Sequence, residues 1–167
     1  MDTDELVVEY PVLSTFDLGQ SPYEADPQIG PSSYREWTII ILRNIGKNPM
    51  KIQDLELQWG KLHHDGDKDN AMSPDDYNGR IIEGGDSLRF NTCGRAFSPT
   101  GTEGRFSLVD PEDNNKVIRT FHWDCPWGSR SNKFEVNDLN NKWMVEASGA
   151  NFEGGALGTV TVEVLKK

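Results

Sequence analysis

From Trp37 onward the chain runs in short stretches where apolar and polar residues alternate, and that period of two predicts β-strands. The clearest is LGTVTVEVL, in which Val160, Val162 and Val164 point one way and Thr161 and Glu163 the other. WTIIILRNI, SLRFN, GRFSLVD, KVIRTFHWD, NKFEV and KWMVEA follow the same rule. MKIQDLELQW alternates imperfectly through Ile52, Leu55 and Leu57 and ends at Trp59-Gly60. Turn-forming clusters separate the runs: NPM, GGD, SPTG, DPEDNN, PWGS and EGGALG. No segment holds a 3.6-residue period over a dozen positions, so no long helix is expected. Strands spaced about 8–12 residues apart with turns between them predict an all-β fold, an antiparallel β-sandwich of two sheets.

Charge divides the chain differently. Residues 1–36 carry eight acids (Asp2, Asp4, Glu5, Glu9, Asp17, Glu24, Asp26, Glu36) and one base, Arg35, for a net −7. The remaining residues hold 19 acids and 16 bases, for −3. Four prolines (Pro11, Pro22, Pro27, Pro31) keep the first segment from forming long helices or central strands. The expectation is an acidic, Pro-containing extension over 1–36 and a β-sandwich domain over 37–167. Within the extension, Glu5–Tyr10 would add an edge strand. Residues 14–36 would run as an extended strap or linker. The extension as a whole, 1–36, is either a passive tail on a sheet edge or an acidic cover near Trp37 and Arg130 that masks a lipid site there.

The whole chain, 167 residues at net −10, lacks the basic surface that neutralises nucleic-acid phosphates or anchors a protein on anionic lipid. Five tryptophans and 10% aromatic residues exceed what a disordered chain carries. MDTDELVVEY has no basic stretch before its apolar one, and Glu9 and Pro11 break it, so it does not read as a secretory signal. Release by a non-standard route, or a cytosolic stage before it, is expected instead. The longest apolar run, Ile39–Leu42, falls far short of the roughly 20 residues of a spanning helix.

Candidate chemistry is sparse. GxSxG, HExxH, CxxC and GxxxxGK[ST] are all missing, so nothing points to an enzyme or a cofactor. His63 and His64, adjacent on a strand, would face opposite ways. Asp65, Asp67 and Asp69 start like a Ca²⁺ loop, with oxygens at positions 1, 3 and 5. Position 6 is then Asn70, position 10 Pro74 and position 12 Asp76, which fits a solvated acidic loop between strands better. Cys93 and Cys125 are either two buried thiols or a disulfide, whose loop closure would contribute about 3.5 kcal/mol.

The aromatics carry more. Trp127 stands between Pro126 and Gly128 in DCPWGSR, and Trp59 precedes Gly60, so both indoles are candidates for loop tips. Trp suits a membrane–water boundary, because the ring is apolar while its N–H stays wet. With Arg130 to hold a phosphate and with Tyr77 and Phe97 on other predicted loops, such residues would make a headgroup site. Trp37, Trp123 and Trp143 fit core or partly buried positions.

WTIIILRNIG, WGKLHHDGDKDN, CGR, GTEGRFSLVD, HWDCPWGSRSN, KWMVEASGAN and GALGTVTVEVLKK, in that order, resemble the aegerolysin family over residues 37–167. The resemblance implies a compact acidic β-sandwich with no enzymatic activity. It also implies recognition of membrane sphingolipids, with or without sterol: sphingomyelin with cholesterol, or ceramide phosphoethanolamine. Several family members are the docking component of two-component, haemolytic pore-forming toxins. Their larger partner bears a membrane-attack-complex/perforin domain, and assembly into an oligomer on the membrane is expected. Carried over residue by residue, the family's lipid-facing positions fall on Trp37, Trp59, His122, Trp123, Trp127 and Arg130. His122 stands where Tyr is frequent and Arg130 where Lys is frequent. A family acid linked to lipid selectivity aligns with Thr100, and Glu103 lies three residues on. From the residues alone, two other classes stay open. One is a soluble lectin-like sandwich whose aromatic loops stack on sugars, and the other is an assembly module for another protein.

Overall fold

The computed structural model describes residues 30–128 and 130–167. The strand expected at Glu5–Tyr10 and residues 1–29 of the acidic extension lie outside them. After a 3₁₀ turn at Gly30–Arg35, the described residues form β1 (Trp37–Asn44), β2 (Met50–Trp59), β3 (Lys61–His64) and β4 (Asp67–Met72). A 3₁₀ turn at Pro74–Asp76 leads to β5 (Ile81–Ile82), β6 (Ser87–Cys93), β7 (Thr102–Asp110) and β8 (Lys116–Cys125). The last three strands are β9 (Lys133–Asn137), β10 (Trp143–Ser148) and β11 (Gly158–Lys166). One sheet has the order β10-β11-β1-β6-β3-β4 and the other β5-β2-β7-β8-β9. Among the described residues, Tyr34–Arg95 and Thr100–Lys167 make up one compact unit, and residues 30–33 and Ala96–Pro99 fall in a second.

The alternation seen in the sequence sets the core. Ile40, Leu42, Phe90, Val160, Val162 and Val164 line the inner face of the six-stranded sheet, each fully buried. Ile52, Phe106, Leu108, Phe121 and Trp123 do the same for the five-stranded sheet. The sheets meet where Phe90 packs edge-on against Phe106, ring centres 5.4 Å apart at 89°. Phe106 stacks on Phe121 at 4.6 Å, and Phe90 also contacts Trp123 at 5.9 Å. At the far end the buried Asp110 carboxylate accepts from the Trp143 indole N–H at 3.1 Å and pairs with Lys166 at 2.9 Å.

Two expectations need correcting. The sandwich is not wholly antiparallel, because β1 and β11 run parallel, Thr38 opposite Gly158 through Asn44 opposite Val164. Periodicity defines which face a residue takes, not the direction of its neighbour. The acidic segment after His64 is also not a loop throughout. Asp65 and Gly66 make the turn, and Asp67–Met72 pairs with β3 as an edge strand exposed on both faces. Of its residues only Lys68 and Met72 are partly covered, Met72 against the core, so it leaves no apolar alternation to read.

β2 carries a bulge. Its pairing with β7 skips from Gln53–Ser107 to Glu56–Arg105, and Asp54 takes a φ of 58°. The Asn78 side chain holds the displaced backbone: its Oδ1 accepts from the Leu55 N–H at 2.8 Å, and its Nδ2 donates to the Leu55 carbonyl at 3.1 Å. Leu55 is buried, so water does not replace these bonds. Asn78→Ala is therefore expected to lower unfolding free energy by about 1–3 kcal/mol, the cost of orphaned buried polar groups, in urea titration.

Candidate functional site

Strand registers gather the aromatic loops at one end of the sandwich. β1 begins there at Trp37, opposite Cys93, and Cys93 in turn lies opposite Lys61. β7 begins at Thr102, opposite Cys125, and Trp59 closes β2 opposite Glu103. The connecting backbones touch. Gly60 takes φ 87°, and a Cβ there would sit 2.8 Å from the Thr102 Cβ and 3.0 Å from the Gly101 carbonyl. Gly101 takes φ 72°, and its Cβ would meet the Trp127 amide nitrogen at 2.7 Å. Only glycine permits this approach, so the Trp59 and Trp127 turns are locked to each other.

Three large apolar side chains stand out from this end. Trp59 is 48% exposed, Trp127 45% and Phe152 55%. Phe152 escapes sequence reasoning, although it sits in GANFEGG, an aromatic among turn-formers much like Trp127 in PWGS. Its loop is fixed by the buried Asn132. The Asn132 backbone N–H donates to the Phe152 carbonyl at 3.0 Å. Its Nδ2 donates to the carbonyls of Asn151 (2.9 Å), Glu153 (2.7 Å) and Gly155 (3.1 Å). The Cys125 thiol ties the same loop from below, donating to the Gly155 carbonyl at 3.4 Å and accepting from the Leu157 N–H at 3.3 Å. Arg130 is exposed beside Trp127 in sequence.

Trp37 is half-buried at the mouth of β1, with the Lys68 ammonium 5.8 Å above its ring centre. The Lys61 ammonium donates to the Tyr34 hydroxyl at 2.8 Å, and that hydroxyl donates to Asp69 at 2.8 Å. Basic and aromatic groups thus border this end of the six-stranded sheet. Glu36, next to Trp37, is only 7% exposed, and burial pushes its carboxyl up to about 8 despite the pull of Arg35 and Lys68.

Other sequence-derived candidates fall elsewhere. Trp123 is fully buried, its N–H donating to the Thr102 hydroxyl at 3.1 Å, so it supports the site from the core. Tyr77 is not a surface loop aromatic: it is 4% exposed, packs on Phe90 at 5.7 Å and donates to the Met72 sulfur at 3.1 Å. Phe97, 74% exposed, belongs to the other compact unit. Thr100 is half-buried just before Gly101. Cys93 and Cys125 are free buried thiols, pushed up to about 11 and 12 by desolvation, so the disulfide alternative does not hold. They end strands of different sheets, β6 and β8. Asp65 pairs with Arg89 at 2.8 Å, Asp67 accepts from the Asp69 N–H, and Asp69 serves Tyr34. Among the described residues no group of three His, Cys, Asp or Glu is placed to hold a metal ion.

His122 lies on the outer face of β8, between two carboxylates. Its Nε2 is 2.8 Å from Glu103 on β7 and its Nδ1 3.0 Å from Glu135 on β9. Partial burial disfavours the imidazolium, but the two carboxylates outweigh that and raise its pKa. Asp124, one pair nearer the aromatic end, is raised by desolvation and by Glu103.

The Aegerolysin family model matches residues 35–167. Aegerolysin Aa-Pri1 of Cyclocybe aegerita is 52% identical over 135 residues, covering 81% of this chain and 93% of that protein. Ostreolysin A6 of Pleurotus ostreatus is 50% identical, covering 81% of this chain and 98% of that protein. Among solved structures, IP-1A of Alcaligenes faecalis superposes with a TM-score of 0.73 at 37% identity, covering 81% of this chain and 94% of its own.

Glu36 and His122 give stability a common pH direction above the carboxylate range, whereas Asp110, whose pKa is lowered, against desolvation, by Lys166 and Trp143, acts only at lower pH. His122 is stabilised as imidazolium, so its contribution is complete below the ordinary value of 6.5 and is lost as pH rises through its raised folded value. Glu36 ionises near 4.5 when unfolded and about 8 when folded, so its penalty on the fold grows across that interval. Melting temperature, followed by circular dichroism, is expected to fall between about pH 5.5 and pH 8.5. Glu36→Gln and His122→Gln should each flatten part of that slope.

Proposed function

The chain belongs to the aegerolysin family, and on that premise we propose that it docks peripherally on sphingolipid-containing membranes through the aromatic end of its sandwich. It then acts as the lipid-recognising component of a two-component pore-forming cytolysin, whose partner carries a membrane-attack-complex/perforin domain. The reading is non-enzymatic. What carries it is the set Trp59, Trp127 and Phe152: three half-exposed aromatics at one end of the fold, on turns that glycine contacts and Asn132 hold rigid.

The energetics support docking rather than insertion. Fully burying a large apolar side chain contributes about 1.5–3 kcal/mol, and these three have roughly half of their surface left to bury. Rigid turns lose little entropy on binding, so most of that gain is kept. Arg130 supplies a forked donor for a headgroup phosphate, and the ring face of Trp127 suits a headgroup cation, the Trp37 ring already carrying the Lys68 ammonium. Summed over one molecule, the affinity is modest, and oligomerisation on the membrane multiplies it. Among the described residues no helix is long and apolar enough to cross a bilayer; the reading assigns the pore to the partner.

The departures at Arg130 and His122 alter hydrogen-bond geometry, so the family's sphingomyelin and cholesterol preference does not carry over automatically. Sphingomyelin with cholesterol and ceramide phosphoethanolamine are the two candidates. Co-sedimentation should separate them on vesicles of phosphatidylcholine alone, with sphingomyelin and cholesterol, and with ceramide phosphoethanolamine. Retention is expected on one sphingolipid mixture and not on phosphatidylcholine alone, with or without EDTA. Trp127→Ala and Phe152→Ala should each weaken it by about tenfold, with circular dichroism unchanged. Equal retention on phosphatidylcholine, or none on any mixture, would overturn the reading. Dye release by the chain alone should stay low.

A further inference from the structure

The outer face of the five-stranded sheet holds a second concave feature, set back from the aromatic end and built on the β2 bulge. Where the ladder to β7 skips, a groove of about 340 Å³ opens, lined by Leu55 and Phe106 and, on its polar side, by Asp54, Glu56, Arg105, Ser107 and Thr120. Small-molecule sites run roughly 300–1,000 Å³, so this one has room for a single small ring. Its shape is fixed. Asn78 clamps the Leu55 backbone on both sides, and Asp54 is held at φ 58°, a conformation Asp tolerates better than most residues. Bulges of this kind commonly mark places where a sheet is re-aimed for function.

The lining alternates donors and acceptors at close spacing. The Arg105 guanidinium donates to Glu56 from Nε at 2.6 Å and lies in an ion pair with it, so donor and acceptor stand side by side at the rim. Ser107, 8% exposed on the floor, has the Thr120 hydroxyl 3.5 Å away, beyond the range of a good O–H···O bond. Thr120 spends its proton on Asp138 at 2.7 Å, which leaves its oxygen able to accept. An anion here would face Asp54, Glu56 and Asp138, and an ammonium would face Arg105. A hydroxyl both donates and accepts, so a ring bearing adjacent hydroxyls satisfies every one of these groups without burying a net charge.

We propose that this groove binds one hexose unit of a glycan, as a site separate from the aromatic end. It stands independently of the docking reading: its residues lie on the strand faces, and none is among the loop aromatics.

The test is amide chemical-shift mapping on the ¹⁵N-labelled full chain. Galactose, glucose, mannose and N-acetylglucosamine are titrated singly, with phosphocholine and inorganic phosphate as controls. One of the sugars is expected to shift the amides of Glu56, Arg105, Ser107 and Thr120 with a Kd of about 1 mM. Ser107→Ala combined with Arg105→Ala should weaken binding at least tenfold while the remaining spectrum stays folded, and Trp127→Ala should leave it unchanged. Galactosylceramide and glucosylceramide in micelles form a second arm. Shifts with free sugar assign the groove to soluble or protein-linked glycans. Shifts at the same amides only with the glycosylceramides, kept in Trp127→Ala, assign it to a glycolipid headgroup. No shift at these amides in either arm, or larger shifts there from phosphocholine or phosphate, would overturn the proposal.

Discussion

The fold depends on the edge-to-face contact of Phe90 with Phe106 across the two sheets. It sets the distance between the layers, and the stack of Phe106 on Phe121 with Trp123 alongside extends it sideways. A close-packed aromatic centre tolerates little displacement, because each lost contact forfeits dispersion energy and leaves a void. With the layers fixed there, the inward residues of β1, β6, β7 and β8 have one register each. A slip by one residue would turn Phe106 or Trp123 out to water and bring Arg105 or His122 in.

That rigidity is passed to the strand ends. Thr102 lies next to the core and receives the Trp123 indole N–H, so the start of β7 is anchored. The Gly101 and Gly60 turns then press against the Trp127 turn, and Cys125 and Asn132 carry the restraint to the Phe152 loop. Trp59, Trp127 and Phe152 are therefore exposed without being loose. An apolar side chain held out to water by a stiff backbone leaves its burial free energy ungained until something apolar covers it.

Much of this was legible in the residues. Period-two alternation marked most strands, and glycine beside Trp59 and Trp127 marked the turns on which both stand exposed. Other features leave weaker traces. The parallel neighbour of β1 is 120 residues away at Arg43–Glu163, and no local pattern reports partner direction. β4 packs only Met72 against the core, so it shows no apolar rhythm. Tyr77 sits in a polar stretch, yet its ring completes the core beside Phe90. Phe152 looks like any loop residue until Asn132, about twenty positions earlier, is seen holding its backbone. Trp123, which the family resemblance puts on the lipid-facing side, faces inward because β8 alternates and His122 and Asp124 take the outer face.

The parallel pairing of β1 with β11 has a consequence for how the chain acquires its shape during synthesis. Ile39–Leu42 is the most apolar run in the sequence, and one of its two hydrogen-bonding edges is completed only by residues 158–166. On a ribosome, that edge stays open while more than a hundred further residues are made. Contacts so distant in sequence close slowly, and an unpaired apolar edge is where nascent chains join the wrong neighbour. Shielding of this one strand until residues 158–166 emerge would therefore favour correct pairing of the nascent chain.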